Sequence, residues 1–174
     1  MELPAYTLTR KRMKNMRIRV TAPHGEVLVS APHHVSKKAI DQFVASRASW
    51  IAAAQLRAQA APTPLTTGPE ADAARARLRE LLPPLIAYWS LAMGADEPTW
   101  TIRRMTTRWG SCNAERKHIN IALELGRKDE ELLEYVVVHE IAHLFVQNHG
   151  PQFTALMNQY LPEWRSLRAR LNGR

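Results

Sequence analysis

The stretch from Leu132 to Val146 constrains this chain more than any other. Read as a helix, it is apolar on nearly every side, apart from Glu134 and the trio His139, Glu140 and His143. A helix that is apolar all round has to be buried in a core. Two imidazoles and a carboxylate in such a place need compensating partners. The trio falls in the pattern His-Glu-x-x-His, within Val136-Val137-Val138-His139-Glu140-Ile141-Ala142-His143. Residues at i and i+4 project from one helix face, so both imidazoles can hold one zinc ion. Glu140 lies one step round the helix. From there its carboxylate can take a proton from a water that the metal acidifies, without being a ligand itself. With 7 histidines in 174 residues, chance supplies only about 0.02 such matches. Zinc accounts for the buried trio better than a pair of satisfied core histidines does.

A catalytic zinc keeps three protein ligands and one open position. His149 follows His143 by six residues, in Gln147-Asn148-His149-Gly150-Pro151. Asn148 and Gly150 tolerate left-handed backbone, so a helix ending here can turn His149 back toward the metal. Pro151 suits the first turn of a following helix. Glu163, on a later helix, is the rival third ligand, and His149 is favoured over it. Asp129-Glu130-Glu131 offers a cap and negative charge at the start of the metal-bearing helix.

Three segments carry a family resemblance: Thr107-Arg108-Trp109-Gly110-Ser111-Cys112, Tyr135 to Leu144, and Asn148-His149-Gly150-Pro151-Gln152-Phe153. Together they resemble the YgjP-like metallopeptidase family, which is related to the WLM and SprT-like zincins. The resemblance is strong over about residues 100–174 and looser over the rest. It implies a zincin fold, with His139, His143 and His149 as zinc ligands and Glu140 as base. It also implies that strand 119–123 or its neighbour pairs with an extended peptide, and that Arg108, Trp109 and Asn120 contribute to substrate binding. The ligand spacing equals that of the metzincins, but Val146 stands where their glycine would be.

The expected class is α+β: a zincin-type core, with the His-Glu-x-x-His helix packed on a small sheet, plus a small N-terminal β-containing module. Residues 1–60 form that basic ββα-like module, 61–69 a Pro- and Thr-rich linker, and 70–174 the metallohydrolase core. Within the module, Tyr6-Thr7-Leu8 and a hairpin over 16–31 read as strands, and Ser36 caps a helix over 37–58. In the core, a helix over 70–92 is interrupted by Pro83-Pro84, which should kink or split it. Residues 99–105 and 119–123 read as strands with the Arg108–Asn113 loop between them. Phe153, Leu156, Met157 and Tyr160 suit a helix covering the cleft. Cys112 reads as a small buried hydrophobe, with a latent fourth ligand or redox brake as the other reading. For oxyanion stabilisation, His118, Arg108 and Tyr160 are the candidates.

The net charge of +8 is uneven. Residues 1–60 hold 10 Lys and Arg against 3 Asp and Glu, and the remainder 14 against 13. Arg10, Lys11, Arg12, Lys14, Arg17 and Arg19 cluster in the first strands. They read either as a surface for nucleic acid or nucleotide, or as a solvated edge that blocks sheet aggregation. A single cysteine excludes an internal disulfide, and no early apolar run resembles a signal peptide. A cytoplasmic protein that is not membrane-bound is the expectation. These features point to a zinc metallopeptidase acting on peptide or protein. The alternatives are a metal-dependent nucleotide or phosphoanhydride hydrolase and a nucleic-acid-binding module with structural zinc.

Overall fold

The computed structural model describes residues 3–22, 24–60 and 63–173. It divides into two compact units, Met1–Thr63 and Pro64–Arg174.

In the first unit, β1 (Thr7–Lys11), β2 (Arg17–Thr21) and β3 (Glu26–Pro32) form a sheet in the order β1-β3-β2. The hairpin is antiparallel, with Val20 opposite Val27, whereas β1 runs parallel to β3. Val27, Val29 and Ala31 alternate onto one face and pack with Ile40, Val44 and Ile51. The helix expected over 37–58 is two helices, α1 (Lys37–Ala45) and α2 (Ala48–Ala60). Ser36 caps α1 by accepting from the Ala39 N–H. Ser46 ends it, and its hydroxyl donates to the Phe43 carbonyl, the local bond by which serine competes with a helical ladder. The strand order leaves both arginine-bearing strands at the sheet edges. One member of the basic cluster is occupied: the Arg10 guanidinium donates to the carbonyls of Pro32, His33 and Val35. Ala61 and Pro62 of the expected linker lie outside the described residues.

The second unit opens with α3 (Pro69–Met93), which continues through Pro83 and Pro84 unbroken. Both prolines face solvent, as do Arg79 and Glu80, whose carbonyls lose their helical donors. Water can satisfy those carbonyls, while Leu78, Leu82, Ile86 and Trp89 hold the opposite face in the core. Gly94, with φ +71°, ends the helix.

A second sheet follows, made of β4 (Thr99–Arg103), β5 (Gly110–Asn113) and β6 (His118–Ala122), in the order β4-β6-β5. β5 comes from the segment expected to be a loop. Its four residues have little strand propensity of their own, and antiparallel pairing with β6 decides their conformation. A 3₁₀ turn, Leu123–Arg127, leads into α4 (Glu130–Ala142). Asp129 occupies the N-cap position of α4 but its side chain does not cap; its carboxylate accepts from Arg170 instead. α4 packs on α3 and on the β5–β6 pair, and α5 (Pro151–Tyr160) and α6 (Trp164–Leu171) pack on α4. The molecule is therefore α+β, with the His-Glu-x-x-His helix on a small sheet. No helix among the described residues is long and apolar enough to cross a membrane.

Candidate metal centre

α4 stops at Ala142, well before the apolar run ends, and His143 is its C-cap. The Leu144 and Phe145 N–H groups donate three residues back, to Ile141 and Ala142, which tightens the exit. His139 and His143 still share one face, with ring centroids 4.8 Å apart. The left-handed turn expected at Asn148 and Gly150 is not used: Gly150 has φ −78°. Asn148 closes the turn instead, its Oδ1 accepting from the Gly150 N–H at 3.1 Å. A Cβ at residue 150 would stand 2.9 Å from that oxygen, so a larger residue there would displace the exposed Asn148 side chain. Pro151 opens α5 as expected.

The ligand atoms of His139, His143 and His149 all lie within 4.8 Å of one another. His139 Nε2 and His149 Nε2 are 3.0 Å apart; two imidazole nitrogens on one tetrahedral zinc stand about 3.3 Å apart. His143 Nδ1 faces the Val146 carbonyl at 2.9 Å. A carbonyl only accepts, so Nδ1 carries the proton and Nε2 is free to bind a metal. Burial, reinforced by the adjacent His143 and His149, pushes His139 down to about 3, which keeps its ring neutral. Phe153, fully buried, stacks on His143 at 4.7 Å and meets His139 and His149 edge-on. Three convergent imidazoles held in this way fit a divalent metal of the zinc type. Glu163, the rival ligand, is the exposed N-cap residue of α6 and stands outside the group.

Glu140 is 4% exposed. Burial pushes its carboxyl up to about 8, against the opposing pull of the Arg108 charge. A dication at the three histidines would favour the ionised form, as Arg108 does. Room for this side chain exists only because residue 110 is glycine. A Cβ on Gly110 would lie 2.5 Å from Glu140 Oε1 and 2.8 Å from both Cδ and Cγ.

These groups open into a cleft of about 760 Å³, lined also by Arg108, Trp109, all of β5, Tyr135, Arg168 and Leu171. Arg108 and Trp109 are where the sequence reading expects them. Asn120 is not: it lies on the central strand β6, and its amide donates to Ser111 Oγ at 3.1 Å rather than lining the cleft. Strand 119–123 is likewise no edge, and the neighbouring β5 is the edge on the cleft side. His118 is tied to the hydroxyls of Thr99 and Thr101 and, like Tyr160, does not line the cleft. Cys112 lines it, but burial, and secondarily the Glu140 charge, push its thiol up to about 11. It stands outside the three-histidine group, and a protonated, half-buried thiol acts as a small apolar filler. Gly110 and Arg168 are the functional candidates that the sequence reading passed over. For Gly110, the only signal was its place inside a motif-bearing segment.

A scan against protein families matches the YgjP-like metallopeptidase domain at residues 14–71 and 70–174. The chain belongs to the YgjP-like metallopeptidase domain family. Membership implies a divalent metal and action on peptide or protein, and the three clustered histidines are the residues suited to hold that metal. Two solved structures are similar. One is the metallopeptidase zymogen abylysin of Pyrococcus abyssi, at 20% identity and TM-score 0.47, covering 51% of this chain and 89% of that one. The other is the metallopeptidase zymogen jannalysin of Methanocaldococcus jannaschii, at 20% identity and TM-score 0.40, covering 62% and 97%. A search of curated proteins finds no match.

Proposed function

We propose that this protein is a zinc-dependent peptidase in which His139, His143 and His149 hold the metal and Glu140 is the general base. One observation carries the reading: a buried carboxyl side chain lies next to the first of three convergent imidazoles, and a glycine makes room for it. When bound, zinc supplies Lewis acidity, polarising the scissile carbonyl and acidifying water. Glu140 accepts the proton of the attacking water and delivers it to the leaving amine. The His143 Nδ1–H bond to Val146 and the Phe153 ring fix the imidazoles in place. Substrate enters extended and pairs with the free edge of β5, whose backbone runs along the cleft. A structural zinc site would close with a fourth protein ligand; among the described residues the group stops at three.

Glu140→Gln tests the assignment, because it keeps shape and hydrogen-bonding reach while removing the base. The variant should bind one zinc per chain and lose roughly 10² or more in peptide hydrolysis. Undiminished turnover in the zinc-loaded variant would remove Glu140 from the mechanism.

A further inference from the structure

α6 carries three arginines, and two of them are occupied. Arg165 donates to Asn158 Oδ1 and lies over the Trp164 ring. Arg170 bonds Glu131 and Asp129 at the start of α4. Arg168 is different. Among the described residues no carboxylate or carbonyl holds its guanidinium, and it lines the cleft together with the three histidines. Its charge adds to burial and to the neighbouring imidazoles in depressing His139 and His149. The cleft's other charged lining residues are Arg108, Glu115 and Glu140. The two arginines balance the two glutamates, so a bound dication would leave the cleft with a net positive charge. Such a cleft favours anionic ligands.

We propose that Arg168 is a substrate-recognition residue: its guanidinium binds a carboxylate of the peptide, either the free C-terminus or an acidic side chain. The proposal rests on the peptidase reading for its ligand class. An arginine suits this task because its planar fork matches a carboxylate in two parallel hydrogen bonds. An arginine already held by Asn158 or Glu131 could not offer that fork. The position on α6 is also rigid, since Trp164, Leu167 and Leu171 anchor the helix in the core.

The test is ligand-observed NMR titration of the zinc-loaded Glu140→Gln protein, so that no peptide is consumed. Two matched pairs separate the carboxylate sources. Acetyl-pentaalanine acid against its amide probes the C-terminus. An acetylated, amidated pentapeptide with a central glutamate, against the same peptide with glutamine, probes the side chain. The expected result is roughly tenfold tighter binding of one acidic member over its neutral twin. Adding Arg168→Gln should abolish that preference while leaving the neutral twin's affinity unchanged, and Arg168→Lys should restore part of it. The proposal is overturned if neither pair is discriminated, or if Arg168→Gln keeps the full preference. Hydrolysis of the neutral peptide by the unmutated protein is measured separately. Its absence beside an Arg168-dependent preference would sink the peptidase reading and leave the carboxylate site standing. Its presence without any preference would do the reverse.

Discussion

Gly110→Ala adds one methyl group at the point where β5 meets α4, and the structure sets the size of the effect. The new Cβ would stand 2.5 Å from Glu140 Oε1, whereas ordinary van der Waals contact begins at 3.4 Å, so the two must separate by about 0.9 Å. Turning the carboxylate end is not enough, because Glu140 Cγ is also only 2.8 Å away. The stem of a side chain that is 4% exposed has to move, or the strand does. Overpacking of this kind costs about 1–3 kcal/mol of stability. A displacement near 1 Å in a catalytic group costs about 10² in rate. The atoms nearest the added Cβ all belong to Glu140, not to a histidine. Zinc content, measured by elemental analysis, should therefore stay at one per chain, while kcat/KM on a peptide falls about a hundredfold. A zinc-loaded, folded Gly110→Ala protein with unchanged kcat/KM would refute the claim that this glycine seats the base.

Three further outcomes are expected. His139→Ala or His143→Ala should abolish stoichiometric zinc binding; full occupancy in both by elemental analysis would remove the site. In metal-stripped protein, the Glu140 carboxyl at about 8 lies above its usual 4.5, so the folded state keeps a proton that the unfolded chain loses. Up to about pH 6.5 the depressed His139, which the unfolded chain protonates more readily, works in the opposite sense, so the net fall in stability should come as pH rises from about 6.5 to about 8, and thermal melts of Glu140→Gln should lack that decline. Gly126→Ala should lower stability by about 2 kcal/mol or more without a selective loss of activity, since its Cβ would meet the Ala74 carbonyl oxygen at 2.4 Å and backbone cannot step aside; an unchanged melting temperature would contradict this.

The sequence made the metal-bearing helix legible because its apolar residues cover every face, so the exceptions stand out. His149 is legible from spacing and Pro151 from its fit to a first helical turn, whereas the turn between His143 and Pro151 is closed by Asn148 and not by the left-handed backbone that the sequence suggests. What pairing decides was not. β5 was read as a loop because Gly110-Ser111-Cys112-Asn113 has no strand pattern until β6 supplies one. The place of Asn120 on a central strand, bonded to Ser111, depends on a sheet order that the sequence does not show. The break at Ser46 and the unbroken passage through Pro83 and Pro84 are also not read from the apolar spacing alone. At Ser46 a local side-chain bond ends the helix, whereas at Pro83 and Pro84 local propensity yields to a solvated face opposite a buried one. Arg168 was one of several basic residues on α6, and only the partners of Arg165 and Arg170 set it apart.

The two small residues of β5 bind these strands of reasoning together. Gly110 pairs with Ile121 and Cys112 with Ile119, and both isoleucines are fully buried. Side chains alternate along a strand, so Gly110 and Cys112 share one side of it. Glu140 lies on that side, against Gly110, and its charge also reaches Cys112. A larger residue at 110 would push the carboxylate away, and a charged residue at 112 would compete for it. Small side chains there let α4 approach closely enough to place Glu140 beside the imidazoles. The same strand is an edge of its sheet, and its four residues line the cleft. On the proposed mechanism, seating the base and presenting a template for an extended chain would both fall to one four-residue segment.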